Sequence, residues 1–402
     1  MINKVKIKRI VSYSIRFMQL LISWIILNVF RYSLIKKNIW LIREKRDEAR
    51  DNGYHFYKYL RENHPEINAY FVITADSPDR YKIEKYDNII EADSWEHCIY
   101  FLAARFSISS QQYGAYPFHF NLKMLNWIKK LCNRKQKVVF LQHGIIQNQF
   151  HINEFLYSKC NIDYFVTSTK REYEFVKETY KYPDYAIGCV GMPRFDYLHQ
   201  DHQVENTILI MPTWRRWLDN NMEEQFVSSD YFKSYAQILS DNELRCILKK
   251  YGYKLIFYIH YKMQPYLNLF KSFEDEFVVI ADKMNYDVQS LLMSSKVMVT
   301  DYSSVFFDFA YMNKPIMYYQ FDVDDFHKYH YEKGYFSYED DGFGPCFNNW
   351  TALKTYIINM VEHNCNQQSI YDKRVKAFFN IRDNCNCQRV YDAIIELDNK
   401  KY

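Results

Sequence analysis

Val297-Met-Val-Thr-Asp-Tyr-Ser-Ser-Val-Phe-Phe-Asp-Phe-Ala310 reads as a buried strand that ends in a polar turn and passes straight into a helix. Val297 to Thr300 has the β-branched, apolar character of a strand covered on both faces. Asp301 and Ser303 are side-chain types that cap helix N-termini, and Val305, Phe306, Phe309 and Ala310 then recur at helical spacing. A strand feeding a capped helix is the repeating unit of a parallel α/β sheet. Taken alone, the turn is an ordinary helix start. Its free N–H groups, the positive helix end and the hydroxyls of Ser303 and Ser304 also suit a phosphate.

The same unit recurs outward in both directions. Thr207 to Met211, Lys254 to Ile259, Phe277 to Ile280 and Pro315 to Tyr319 are expected strands around it, with helices over Tyr231 to Leu239, Val288 to Ser295 and Ser303 to Met312. An earlier series has strands at Ala69 to Thr74, Phe106 to Ser110, Val138 to Leu141, Tyr164 to Ser168 and Ala186 to Val190. Its helices are expected at Asp51 to Asn63, Ser94 to Ala104 and Lys170 to Tyr180. Two such halves suit a chain of 402 residues, because single cores stop growing at about 250–300 residues. The expectation is an α/β protein of two Rossmann-like domains facing an interdomain cleft lined by strand carboxyl ends.

Composition narrows the function. The chain is 48% apolar and 19% aromatic, which supplies ample core. Its 52 basic and 48 acidic residues are too evenly matched for a nucleic-acid binder, and no nucleic-acid partner is expected. Nine cysteines, odd in number and without C-x-x-C spacing, fit a reducing compartment. Cys385-Asn-Cys387 is the closest pair, and two thiols do not complete a zinc site. The sequence identifies no metal cluster and no cofactor.

Lys4, Lys6, Lys8 and Arg9 precede the apolar run Ile10 to Phe30, and Arg31, Lys36 and Lys37 follow it. The uncharged part between Arg16 and Arg31 is shorter than the ~20 residues of a spanning helix, and no small-x-small cleavage site follows. Basic flanks around a Trp/Phe/Leu face fit a helix lying in an anionic membrane surface; packing on the protein's own core is the plainer alternative. The expected division is a basic amphipathic membrane-associating segment over 1–45, domains over 46–205 and 206–375, and a helical segment over 376–402.

Polar residues gather at the strand ends. Gln142, His143 and Gly144 follow Leu141; Thr213, Trp214, Arg215 and Arg216 follow Met211-Pro212; His260 follows Ile259; Asp301, Ser303 and Ser304 follow Thr300. Arginine grips phosphate through a fork that lysine cannot copy. Imidazoles at strand ends take protons from hydroxyls near neutral pH, and Gly144 lets backbone approach a ligand closely. Each feature has an ordinary structural account, and their convergence is the signal.

These residues resemble the CDP-glycerol glycerophosphotransferase family, the teichoic-acid primase and polymerase type, from about residue 40 onward. Thr300-Asp-Tyr-Ser-Ser through Tyr319, then Asp322-Val-Asp-Asp325 and Gly342-Phe-Gly-Pro345, carry the strongest likeness. Ile208-Leu-Ile-Met-Pro-Thr-Trp-Arg-Arg216 is similar to the family's Pro-Thr-Trp-Arg strand, and Gln142-His143-Gly144 looks like its His-Gly motif. After Gly144 this chain has Ile145-Ile-Gln-Asn148 where the family commonly continues Thr-Pro-Leu-Lys. The resemblance implies a GT-B fold, with 46–205 on the acceptor side and 206–375 binding a CDP-linked donor, CDP-glycerol or CDP-ribitol. It implies a lipid-linked or polymer acceptor at the cytoplasmic face of the membrane, in teichoic-acid-like or capsular polymer synthesis. His143 would be the general base and His260 the second essential histidine. Arg215, with Arg216, Thr213, Asp301, Ser303 and Ser304, would serve the donor phosphates. A GT-B glycosyltransferase using a nucleotide sugar and an inactive membrane-associated assembly protein are the rival readings. The sequence sets no oligomeric state.

Overall fold

The computed structural model describes the backbone of residues 2–35, 37–118, 136–149, 152–200, 202–219 and 222–399, and their side chains apart from 2–11, 30–35 and 152–153. The basic residues Lys4, Lys6, Lys8, Arg9, Arg31 and Lys36 lie outside the described side chains.

The chain forms two compact units that are not colinear. The first comprises 1–143, 152–197 and 383–402, and the second 144–151 with 198–382. The first holds a parallel sheet of β1 (Trp40–Arg43), β2 (Ala69–Ile73), β3 (Ile89–Glu91), β4 (Phe106–Ser109), β5 (Lys137–Phe140), β6 (Tyr164–Thr167) and β7 (Ile187–Cys189), ordered β3-β2-β1-β4-β5-β6-β7. The second holds β8 (Glu205–Met211), β9 (Lys254–Tyr258), β10 (Val278–Ala281), β11 (Ser295–Thr300), β12 (Ile316–Tyr319) and β13 (Cys346–Phe347), ordered β10-β9-β8-β11-β12-β13. Each sheet reverses its strand order at the first strand, the topology that opens a crevice at strand carboxyl ends.

The strand β1 lies inside its sheet between β2 and β4 and is wholly buried, with Trp40 packed on Phe56, Phe106 and Tyr391. The boundary expected near residue 45 falls just beyond this strand, which is short and follows a long apolar run without a turn signal between them. Several helices open on side-chain caps. Ser94 accepts from the His97 amide (3.0 Å), Asp241 from Leu244 (2.9 Å) and Asp287 from Ser290 (2.9 Å). At Thr169 a reciprocal box forms, since Thr169 Oγ1 accepts from the Glu172 amide while Glu172 accepts from the Ser168 amide. Gly252 closes the helix Asn242–Tyr251 in the left-handed conformation (φ 67°) that glycine adopts without strain.

The first helix, α1 (Ile2–Ile35), lays Leu20, Ser23 and Leu27 against the core of the first unit, and Gln19 Nε2 donates to the Asp93 carbonyl (3.1 Å). Its opposite face exposes Ile15, Met18, Leu21, Ile22, Ile25 and Val29. Over Ser12–Val29 it is long and apolar enough to cross a membrane, with 17% of that stretch buried.

Candidate functional site

In the first unit the site begins where β5 ends. Gln142 adopts a left-handed backbone (φ 62°), costly for a residue with a Cβ, and three bonds compensate. Its amide donates to the Val166 carbonyl and to Glu172 Oε1 (3.1 Å), while its own carbonyl accepts from Asn52 Nδ2 (2.8 Å). The locked turn sends the next side chain outward, and His143 is exposed.

Desolvation by the surrounding protein lowers the pKa of His143 from the ordinary histidine value. Asp51 opposes it, Arg194 and Lys45 add to it, and a hydrogen bond from the ring to the Ser110 backbone opposes it again. The residue is exposed at its surface although the protein around it weakens the hydration of a charged ring. An imidazole held through one nitrogen and neutral at pH 7 can accept a proton at the other.

Asp51 and Arg194, which sequence reading did not single out, build the floor around it. Arg194 Nη1 donates to Asp51 Oδ1 (2.8 Å) and the Arg194 amide donates to Asn52 Oδ1 (3.0 Å). Behind them Glu44 accepts from the amides of Arg50, Asp51 and Tyr54. Burial, then the Asp51 charge, pushes its carboxyl up to about 8 against those three bonds.

In the second unit the ends of β8, β11 and β12 are tied by charge. Thr300 Oγ1 donates to the Met211 carbonyl (2.6 Å), and the Thr213 amide donates to Asp301 Oδ1 (2.8 Å). Arg215 has no exposed surface. Its Nε donates to Asp322 Oδ2 (2.7 Å), Nη2 to Asp322 Oδ1 (3.0 Å) and Asp301 Oδ2 (2.8 Å), and Nη1 to the Thr213 carbonyl (2.7 Å). The rings of Tyr231, Tyr302 and Phe326 enclose it at 5.2–5.3 Å. Burial acts against this charge, but Asp301 and Asp322 raise its pKa well above the ordinary arginine value. A guanidinium spent on two carboxylates and sealed from solvent presents no fork to a phosphate. The expectation of direct phosphate contact by Arg215 therefore gives way to a positioning one. The same holds for Asp301, a buried acceptor that organises the turn and does not cap the following helix. Ser304 occupies the N-cap position of Val305–Tyr311, and its side chain makes no capping bond.

Next to this knot lies a looser group. Arg216 is exposed, with its guanidinium over the Tyr331 ring (5.9 Å). Its amide donates to His330 Nδ1 (3.1 Å), so a neutral His330 carries its proton on Nε2, which is enclosed and has no partner among the described residues. Burial, then Arg215, Arg216, His260 and Lys262, depress the His330 pKa to about 3. Trp214 meets His330 edge-on (4.6 Å) and stacks on His260 (6.2 Å), with Lys262 Nζ 3.5 Å above the indole. His260 Nδ1 accepts from the Lys262 amide (3.3 Å). Thr213 Oγ1 is buried without a partner among the described residues, and Ser303 and Ser304 are half-buried. Gly144 belongs to this unit, and what its backbone approaches is Ser304: a Cβ there would lie 2.9 Å from Ser304 Oγ. Thus Thr213, Arg215, Asp301 and Asp322 come together directly, and Trp214, His260, Lys262, Arg216 and His330 form a second cluster. His330 and Asp322 were missed as site residues. The acidic run after β12 offered a signal for Asp322, whereas nothing in sequence distinguishes His330 from a surface histidine. Among the described residues no group of three or more His, Cys, Asp or Glu could hold a metal ion.

Two Rossmann-like domains with polar strand ends define a GT-B-like transferase fold. The sequence matches the family of CDP-glycerol:poly(glycerophosphate) glycerophosphotransferases over residues 25–396, and the chain belongs to that family. It is 36% identical over 380 residues to the minor teichoic acid biosynthesis protein GgaB of Bacillus subtilis (strain 168), covering 91% of this chain and 40% of that protein. It is 26% identical over 350 residues to a teichoic acid poly(glycerol phosphate) polymerase of Bacillus spizizenii, covering 81% and 82% respectively. The chain therefore spans well under half of GgaB. Among solved structures, the wall teichoic acid polymerase TagF superposes with a TM-score of 0.61 at 17% identity, covering 96% of this chain and 98% of that one. A UDP-N-acetylglucosamine 2-epimerase from Listeria monocytogenes, described as putative in its own structure, shares the fold with a TM-score of 0.55 at 14% identity over 90% and 98%.

Proposed function

We propose that the protein transfers glycerol phosphate, or ribitol phosphate, from a CDP-linked donor to a polymer or lipid-linked acceptor, making a phosphodiester and releasing CMP. The observation that carries the reading is His143, an accessible imidazole with a lowered pKa on a locked turn, in a chain of this family. An acceptor hydroxyl gives its proton to His143, and its oxygen bonds to the polyol-bearing phosphorus. The bond from that phosphorus to the bridging oxygen breaks, and CMP leaves with the electron pair. Ser303, Ser304, Thr213, Arg216 and His260 bind the donor phosphates, while Arg215 and Asp301 hold that loop in shape. Donors aimed where charge develops lower the barrier most.

The same reading puts the protein on the cytoplasmic face of a membrane, where α1 lies in the interface. One face of α1 is committed to Leu20, Ser23 and Leu27 packing, and the apolar stripe from Ile15 to Val29 is left outward between basic flanks. The product would be a teichoic-acid-like or capsular polymer. The test is CMP release from CDP-glycerol and from CDP-ribitol with membrane acceptor, wild type beside His143→Ala. CMP from the wild type alone supports the reading, and release of a nucleoside diphosphate from a nucleotide sugar overturns it.

A further inference from the structure

The strap that follows Gly144 is the segment where this chain departs from the family's Thr-Pro-Leu-Lys. It packs within the second unit. Gln147 on it is buried, and its Nε2 donates to the Tyr302 carbonyl (2.7 Å) while its Oε1 accepts from the Tyr338 hydroxyl (3.2 Å). Gln149 pairs with Glu332 in an antiparallel bridge, and Gly334 packs so closely on the Gln147 carbonyl that a Cβ there would collide.

The consequence lies in one peptide plane. The Tyr302 carbonyl and the Ser303 N–H belong to the same planar trans peptide, so they point in opposite directions and rotate together. Upstream of that plane, the Asp301 carbonyl accepts from Gln320 Nε2 (3.3 Å) and the Tyr302 amide donates to Asp301 Oδ1 (2.5 Å). The Tyr302 ring stacks on Phe326 (3.8 Å) and its hydroxyl donates to Asp322 Oδ1 (3.3 Å). These contacts fix the turn as far as Tyr302, and the carbonyl that orients the next peptide is held by Gln147.

We propose that Gln147 is a positioning residue for the donor-phosphate loop, aiming the Ser303 N–H and the Ser303 and Ser304 hydroxyls through its bond to the Tyr302 carbonyl. This rests on the reading of that loop as the donor-phosphate site. Gln147→Met keeps the volume and removes both hydrogen bonds. Gln147→Glu keeps the acceptor toward Tyr338 and removes the amide donor at neutral pH.

The experiment measures equilibrium binding of CMP, donor KM and kcat for CMP release, and melting temperature, for the wild type, both Gln147 variants, Ser304→Ala and the double variants. Both Gln147 variants should weaken CMP binding and raise donor KM about tenfold, with acceptor KM unchanged. Ser304→Ala should then cost less in the Gln147→Met background than alone, because the hydroxyl it removes is already misdirected. A purely structural role would lower the melting temperature and leave the Ser304→Ala effect multiplicative, which overturns the proposal. If the wild type releases CMP and the Gln147 variants match its donor KM, the proposal falls and the phosphotransferase reading stands. If the wild type neither binds nor releases CMP, the loop is no donor site and both fall.

Discussion

Arg215 and Arg216 leave the same strand as neighbours, yet the first is sealed between Asp301 and Asp322 while the second stands exposed with its guanidinium over Tyr331. The buried region is saturated: each carboxylate has an arginine, and Tyr235 adds its hydroxyl to Asp301 Oδ2 (3.3 Å). The neighbouring region is looser, with Lys262 Nζ over the Trp214 ring and, among the described residues, no hydrogen-bond partner for the enclosed His330 Nε2. A saturated charge network holds shape, whereas the exposed Arg216 is the group that the proposed function turns toward an anion's oxygens. On the proposed function the two regions divide the labour of one strand end.

Breaking the buried region should give the largest effect. Arg215→Ala strands two carboxylates in the interior and should cost about 3–5 kcal/mol of stability, read by denaturant unfolding. Arg215→Lys should recover only part, since an ammonium cannot reproduce the bidentate grip on Asp322. An equally stable Arg215→Ala protein would show that the knot does not hold the turn.

On the exposed side, Arg216→Ala should leave stability within about 0.5 kcal/mol and raise donor KM about tenfold. Equal losses from both arginines, in the same parameter, would erase the contrast between them.

A smaller and sharper effect concerns pH. His330 has a folded-state pKa near 3, below its ordinary value, so below about pH 6.5 the unfolded chain binds a proton the folded one refuses. Its contribution is complete above that pH and is lost as pH falls from there toward 3. The wild-type slope over this window should exceed that of His330→Phe by about 1.4 kcal/mol per pH unit. Identical slopes would mean that His330 is not held neutral by its surroundings.

Much of this was legible in the sequence, and what was not has physical causes. Strand ends show because apolar runs stop at polar residues, so His143, His260, Thr213 and the Asp301 turn could be named in advance. The fate of Arg215 could not, because it is set by Asp322, which lies 107 positions away. The strand β1 was hidden by its brevity, four residues in the shadow of a long apolar helix. The left-handed backbone of Gln142 was hidden because glutamine rarely takes it, and only the tertiary bonds to Val166, Glu172 and Asn52 make it stable.

The central claim is that His143 takes the acceptor's proton in a reaction that releases CMP, and its pH dependence tests this most directly. A lowered pKa keeps the imidazole neutral further into acid, so kcat/KM for CMP release should be level from about pH 6.5 to 8 and decline only below the ordinary histidine value. His143→Ala should lose about 10²–10⁴-fold in rate and lose that acid limb with it. An unchanged rate and limb in His143→Ala would contradict the account, because the proton would then be leaving by another route.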